Sequence, residues 1–225
     1  MSGLFLAFDI DDTLYLERDY VRSGFEYVGK WANKELGISD FAERAWRLFV
    51  EGQRGKIFDK VLAELGIETH PAVVGRLIAL YRTHPANIRL SPDTQACLQV
   101  LQNRTPLAII SDGPLEAQRK KVAALKLVRW FAPILLTEES GGSFQKPCPA
   151  LFLRLQQAFQ SAPERCCYVG DNPLKDFIAP RQLGWKTIRI RRQGGLYSDI
   201  EPSRASGPDH ELPDLNLVPD LLPDL

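Results

Sequence analysis

Two acidic clusters carry the strongest chemical signal in this chain of 225 residues. Asp9-Ile10-Asp11-Asp12-Thr13 follows the apolar run LFLAF, and Gly170-Asp171-Asn172-Pro173-Leu174-Lys175-Asp176 follows CCYV. Side chains alternate along a strand, so Asp9 and Asp11 can project together from its C-terminal end. Open α/β sheets bind their ligands there. Carboxylates held so close repel unless a cation lies between them, and an all-oxygen site suits Mg²⁺. With a metal bound, one carboxylate can attack phosphorus while its neighbour handles protons. Taken singly, each cluster also reads as a turn or helix-cap group of acids.

Two further positions give the clusters a context. Ser111 ends the run AIIS, where its hydroxyl and the backbone N–H of Asp112 can hold a phosphate oxygen; alone it reads as a helix N-cap. Lys146, in SFQKPCPALF, precedes a helical pattern and can neutralise charge on a transferred phosphoryl group. Elsewhere such a lysine is a solvated surface residue. Gly170 allows a tight strand exit, and Asp176 is placed one helical turn beyond Asp171, where it can anchor metal-bound water or Lys146.

In this order, DIDDT, AIIS, the lysine of QKP and GDNPLKD resemble the haloacid dehalogenase (HAD) superfamily over roughly residues 4 to 192. The resemblance implies Asp9 as nucleophile and Asp11 as general acid and base. It implies Mg²⁺ held by the carboxylates of Asp9 and Asp171 and the backbone carbonyl of Asp11. Ser111, Asp112 and Lys146 would bind the phosphate, with Thr13 and Asp176 in support. The implied activity is Mg²⁺-dependent hydrolysis of small phosphate monoesters such as nucleotide monophosphates, sugar phosphates or phosphoglycolate. A phosphomutase would use the same residues. A dehalogenase needs neither the metal nor an acid at position 11, and a non-catalytic relative would be expected to lack Asp9 or Asp11.

These residues must be positioned by strands, and five apolar runs qualify: Leu4 to Phe8, Leu107 to Ile110, Ile134 to Leu136, Cys166 to Val169 and Thr187 to Ile190. Helical patterns separate the later ones, over Pro114 to Leu125, Pro149 to Phe159 and Pro173 to Leu183, the last stopped by Gly184. The expected fold is α/β, a doubly wound parallel sheet with a Rossmann-like core. Between Leu16 and Ser91 the rhythm changes to four helical segments: Tyr20 to Trp31, Phe41 to Phe49, Ile57 to Leu65 and Pro71 to Tyr81. They predict an inserted α-helical cap over 16–90, with the core over 1–15 and 91–225, and hinges near Leu16 and Ser91. Arg18, Tyr20, Arg54 and Lys56 are candidates to contact substrate, although each reads as readily as a solvated face or, for Tyr20, cap core. His70 and His84 read as loop residues without chemistry, and Arg189, Arg191 and Arg192 as peripheral surface charges. The Pro-, Asp- and Leu-rich tail from Pro202 is expected to pin down as an extended segment or turn, or to leave its last residues disordered.

Composition excludes several classes. Lys plus Arg and Asp plus Glu balance at 28 each, so the basic excess of a nucleic-acid binder is missing. No stretch of eighteen apolar residues predicts a membrane span, and LFLAF reads as a buried strand rather than a leader. Cys97, Cys148, Cys166 and Cys167 form no C-x-x-C or zinc spacing, which predicts reduced thiols and a cytoplasmic setting. Cys148, two positions from Lys146, is where oxidation could hinder the site. The expected partner is a small phosphorylated metabolite.

Overall fold

The computed structural model describes residues 3–203 and 207–222. Six strands form one parallel sheet: β1 (Phe5–Phe8), β2 (Leu107–Ser111), β3 (Ile134–Leu136), β4 (Cys166–Gly170), β5 (Lys186–Ile190) and β6 (His210–Leu212). Their order across the sheet is β3-β2-β1-β4-β5-β6. The sheet grows in one direction from β1 to β3 and in the other from β4 to β6. The connections therefore diverge between β1 and β4 and leave a crevice at their C-terminal ends. Register fixes what lies there: Phe8 pairs with Val169, and the Asp9 N–H donates to the Val169 carbonyl at 2.9 Å.

The sheet is apolar on both faces because helices cover both. Alternate residues Phe5, Ala7, Ala108, Ile110, Cys166 and Tyr168 pack on Leu151, Phe152 and Leu155 from helix α7 (Ala150–Ala158) and on Trp185. Phe5 and Phe152 each meet the Trp185 ring edge-on, at 5.2 and 5.5 Å. On the opposite face Phe8 meets Phe131 at 5.6 Å. Residues Leu107–Ser111 and Cys166–Gly170 are buried throughout, which is why they read as continuous apolar runs rather than alternating ones.

The chain divides into two compact units, Met1–Arg18 with Arg89–Leu225, and Asp19–Ile88. The second is helical, containing most of α1 (Glu17–Leu36) and all of α2 (Phe41–Val50), α3 (Ile57–Glu64) and α4 (Pro71–Thr83). Its interior is aromatic: Phe25 lies 5.9 Å from Phe58 and 5.7 Å from Tyr81. Tyr20 is buried against Tyr81 and His84, in the core of this unit. His84 itself is buried rather than an open loop residue, its Nδ1 2.6 Å from the Tyr81 carbonyl. The rings of Tyr20, Tyr27 and Tyr81 lie around it at 4.7–6.2 Å, contacts its flanking Pro85 does not reveal.

Several expectations need correction. Helix α5 (Pro92–Leu101) was not anticipated, although Pro at its first turn and buried Cys97, Leu98 and Leu101 mark it. Helix α6 spans Leu115–Ala124 and is not capped by Ser111. The helix expected from Pro173 begins only at Ile178, as α8 (Ile178–Gln182). Pro180 lacks the N–H that would close a bond to Asp176, so a helix can include it only within its first turn. Strand β6 was also missed: it is a short edge strand set by Asp209, whose Oδ2 accepts from Thr187 N and Oγ1 at 2.8 Å. The tail does pin down. Leu215 and Val218, at the start of α9 (Val218–Leu221), are buried, and Leu215 N–H donates to Asp93 at 3.0 Å. Its final residues, 223–225, lie outside the described residues.

Arginines 189 and 192 are not peripheral. Arg189 is fully buried and donates to the backbone carbonyls of Asp171, Tyr197 and Ile200 and to Glu211. Arg192 grips Asp93 and the Thr13 carbonyl at 2.8–2.9 Å. Arg191 is half-buried, bonded to Glu201 and Glu211. A guanidinium can satisfy several carbonyls at once, and this lets a charged residue enter a strand interior that sequence pattern assigns to the surface.

Candidate active site

The crevice between β1 and β4 gathers the two acidic clusters. Asp9 leaves the end of β1, and Asp171 follows Gly170 at the end of β4. Asp9, Asp171 and Asp176 are buried, with one carboxylate oxygen from each lying within 4.8 Å of the others. Asp176 reaches this group from a turn. Its Oδ2 accepts from the Asp171 and Asn172 N–H groups at 3.2 and 2.9 Å, and Asn172 Oδ1 in turn accepts from Leu174 N–H at 3.0 Å. Gly170 makes room for this approach. A Cβ there would lie 2.5 Å from Asp176 Oδ2. The substitution Gly170→Ala should therefore displace Asp176 and destabilise the protein by about 1–3 kcal/mol, the usual cost of overpacking. A thermal melt that matches wild type would show that the loop accommodates the methyl group.

Lys146 places its ammonium among these acids. Its Nζ lies 2.9 Å from Asp9 Oδ1, 2.8 Å from Asp176 Oδ1 and 2.9 Å from the Tyr168 hydroxyl, which donates onward to the Ile110 carbonyl. Burial alone would lower the lysine's pKa, but Asp176 and Asp9 outweigh it and hold the value well above the ordinary one. One ammonium does not balance three carboxylates. Burial, with Asp176 and Asp9 adding to it, pushes the Asp171 carboxyl well up, and burial raises Asp9 despite Lys146. Beyond the shared Lys146 ammonium, Asp9 Oδ1 and Asp176 Oδ1 have no polar partner among the described residues. Clustered, buried, all-oxygen donors with unmet demand for positive charge fit a hard divalent cation.

Asp11 is turned to one side of this group. Its Oδ1 accepts from the Tyr15 hydroxyl at 2.5 Å, and its Oδ2 from Gln118 Nε2 and Lys121 Nζ at 3.1 and 2.6 Å. Burial works to raise its pKa, but the Lys121 charge and the bonds from Lys121, Tyr15 and Gln118 prevail and lower it. Asp12 sits in the left-handed region, φ 52°, with its carboxylate accepting from Glu17 and Leu196 N–H groups. Burial raises it to about 6. Glu17 is pushed further, to about 8, by burial and then by the Asp11 charge.

The other expected residues divide. Ser111 stands at the end of β2, its hydroxyl 3.5 Å from Gln118 Oε1. Thr13 is buried, its carbonyl taken by Arg192 and its hydroxyl without a partner among the described residues. The Asp112 side chain does not open toward a ligand: it accepts from Lys146 N–H at 3.1 Å and from Lys175 Nζ at 2.8 Å. Arg18 is half-buried. Arg54 lies over the Phe49 ring and donates to the Phe49 and Gln53 carbonyls, and Lys56 and His70 are exposed. Cys148 is half-buried, and all four cysteines are thiols.

Tyr15, Gln118, Lys121, Tyr168 and Lys175 were not singled out from sequence. For Gln118 and Lys121 a signal existed. They share one face of α6 with Ala117 and Leu125 (spacings of three and four), so they are polar residues on an inward face. The charged run Arg119-Lys120-Lys121 hid it.

Comparison with known proteins bears on the family and the fold. The family model of haloacid dehalogenase-like hydrolases matches residues 5–184. The chain is 27% identical to the phosphoserine phosphatase of Thermus thermophilus, covering 95% of this chain and 96% of that protein. It is 28% identical to the glyceraldehyde 3-phosphate phosphatase of Methanocaldococcus jannaschii, covering 98% and 97%. Among solved structures, the HAD-hydrolase YfnB of Bacillus subtilis, bound to magnesium, superposes with a TM-score of 0.72 at 22% identity over 99% of both chains. That likeness concerns the fold.

Proposed function

The chain belongs to the haloacid dehalogenase-like hydrolases, and from that premise we propose that it is a Mg²⁺-dependent phosphatase of small phosphate monoesters. The observation that carries this reading is the buried trio Asp9, Asp171 and Asp176 around Lys146 at the crevice of β1 and β4. The names of the relatives, both phosphatases of small phosphorylated compounds, support the same class.

In this reading Asp9 and Asp171, with the Asp11 backbone carbonyl, would hold the cation, and Asp176 would support them. Bound Mg²⁺ would offset charge on the phosphoryl oxygens and relieve repulsion among the carboxylates. Lys146 orients Asp9 and adds positive charge beside it. Asp9 attacks phosphorus: an Asp9 O–P bond forms, the ester O–P bond breaks, and the leaving oxygen takes a proton from Asp11. Asp11 then removes a proton from water, which attacks phosphorus and frees Asp9. Ser111 and the adjacent Asp112 N–H steady the phosphoryl oxygens. The helical unit serves as the substrate-selecting cap.

Phosphate release from a panel that includes phosphoserine, glyceraldehyde 3-phosphate, nucleotide monophosphates and 4-nitrophenyl phosphate tests the proposal. Release should require Mg²⁺ and stop with a chelator. A protein that frees no phosphate from any of them with Mg²⁺ present would refute it. Melting gives an independent check. A raised carboxyl pKa contributes stability that is full below the unfolded value of 3.8 and is lost as pH rises through the folded value, and burial beside Asp176 and Asp9 raises Asp171 in this way. Mg²⁺ should therefore raise the Tm, and by more at pH 8 than at pH 5.

A further inference from the structure

We infer that Lys175, rather than Lys146, is the lysine that donates to the phosphoryl group, and that the Asp112 carboxylate holds it in place for that task. The inference deepens the phosphatase reading and rests on it. An ammonium has three N–H donors and no acceptor. Those of Lys146 are spent, on Asp9 at 2.9 Å, on Asp176 at 2.8 Å and on the Tyr168 hydroxyl at 2.9 Å. Its side chain is 0% exposed, so a ligand finds no open donor there. Lys146 can orient Asp9 and lend charge, but it has no hydrogen bond left to give.

Lys175 differs on both counts. Its Nζ has one partner among the described residues, Asp112 Oδ2 at 2.8 Å, and its side chain is 31% exposed. Two N–H donors therefore remain. The sheet sets where they lie. Asp112 follows the last residue of β2, Lys175 stands in the turn after β4, and β1 runs between those strands. The ion pair thus reaches across the C-terminal end of β1, where Asp9 emerges. Burial, with Lys146 adding to it, works to lower the Lys175 pKa, but Asp9, Asp176 and Asp112 outweigh them and raise it. The lysine is therefore charged at neutral pH and within electrostatic reach of the nucleophile.

Asp112 accounts for the cation staying there. A flexible four-carbon stem leaves a lysine head free to wander, and pairing removes that freedom. The carboxylate is itself fixed, since its Oδ1 accepts from the Lys146 N–H at 3.1 Å. Ser111 stands immediately before it, so the strand end that offers a hydroxyl and a backbone N–H to a phosphate oxygen also carries the anchor for a cation. A bare acid beside a phosphate site would repel the ligand. Paired with Lys175, it presents N–H groups instead.

Binding of inorganic phosphate, titrated calorimetrically at pH 7 with Mg²⁺ present, separates contact from mere charge balance. Lys175→Met should weaken binding about 10–100-fold, the range of one hydrogen bond between charged groups. That change also leaves the Asp112 charge unpaired, so the double variant Lys175→Met with Asp112→Asn decides. It removes both charges, and it carries the test if Lys175→Met does not fold. Its binding should remain weaker than wild type by about fivefold or more. Recovery beyond that bound would overturn the inference, because Lys175 would then serve only to neutralise Asp112. Unchanged binding in Lys175→Met would overturn it as well. A wild-type protein that binds no phosphate and frees none from any ester would instead refute the phosphatase reading and the inference with it, an outcome distinct from the failure of Lys175 alone.

Discussion

Asp9→Asn should lower phosphate release from 4-nitrophenyl phosphate by about 10⁴-fold or more, the scale on which nucleophile deletions fall. The amide keeps the shape of the carboxylate but removes the attacking charge and weakens one ligand of the proposed metal. Folding should not suffer. Burial raises the Asp9 pKa despite Lys146, so the native state already disfavours its charge in the absence of metal. A neutral group there relieves repulsion with Asp171 and Asp176, at the cost of one contact to Lys146. The metal-free Tm of the variant should equal or exceed that of wild type. Near-normal turnover in a well-folded Asp9→Asn protein would remove the nucleophile from its proposed position.

Lys146→Met should have the largest effect on stability. The ammonium is fully buried and stands between two carboxylates at 2.8–2.9 Å. Removing one member of a buried ion pair typically costs about 3–5 kcal/mol, because the partner charge remains without compensation. A pKa held above its unfolded value supplies stability below that value, 10.5, and loses it only as pH rises through the folded one. At pH 7 the contribution is complete, and the variant forfeits it. The deficit should shrink as pH falls toward the carboxyl range near 3.8, where protonation can neutralise Asp9. Mg²⁺ should restore part of the Tm by replacing the missing charge. Denaturant titrations at pH 7 and pH 4.5, with and without Mg²⁺, measure each term, and a pH-independent loss would contradict the electrostatic account.

The site was legible in the sequence where local order carries it. Asp9, Ser111 and Asp171 each sit at or just beyond a strand end, and apolar runs mark those strands without help from tertiary structure. The unforeseen parts depend on contacts distant in sequence. Lys121 meets Asp11 from 110 positions away. Arg189 looks exposed until the carbonyls that surround it are in place. Edge strand β6 carries no apolar signature, since His210-Glu211-Leu212 lies partly exposed at the edge of the sheet and is held by Asp209. Asp112 was singled out for its backbone N–H beside Ser111, while the partners of its carboxylate, the Lys146 N–H and Lys175 Nζ, come from 34 and 63 positions away.

Arg189 carries a consequence for how far the site extends. Its guanidinium ties the Asp171 carbonyl to the loop at 197–200 and to Glu211 on the outermost strand. The C-terminal segment thus acts as a buttress: disturbance there is transmitted through one rigid cation to Asp171, across the crevice from Asp9. A poorly patterned tail thereby reaches the end of the strand that carries Asp171, through the carbonyls at 197 and 200 and the Glu211 carboxylate.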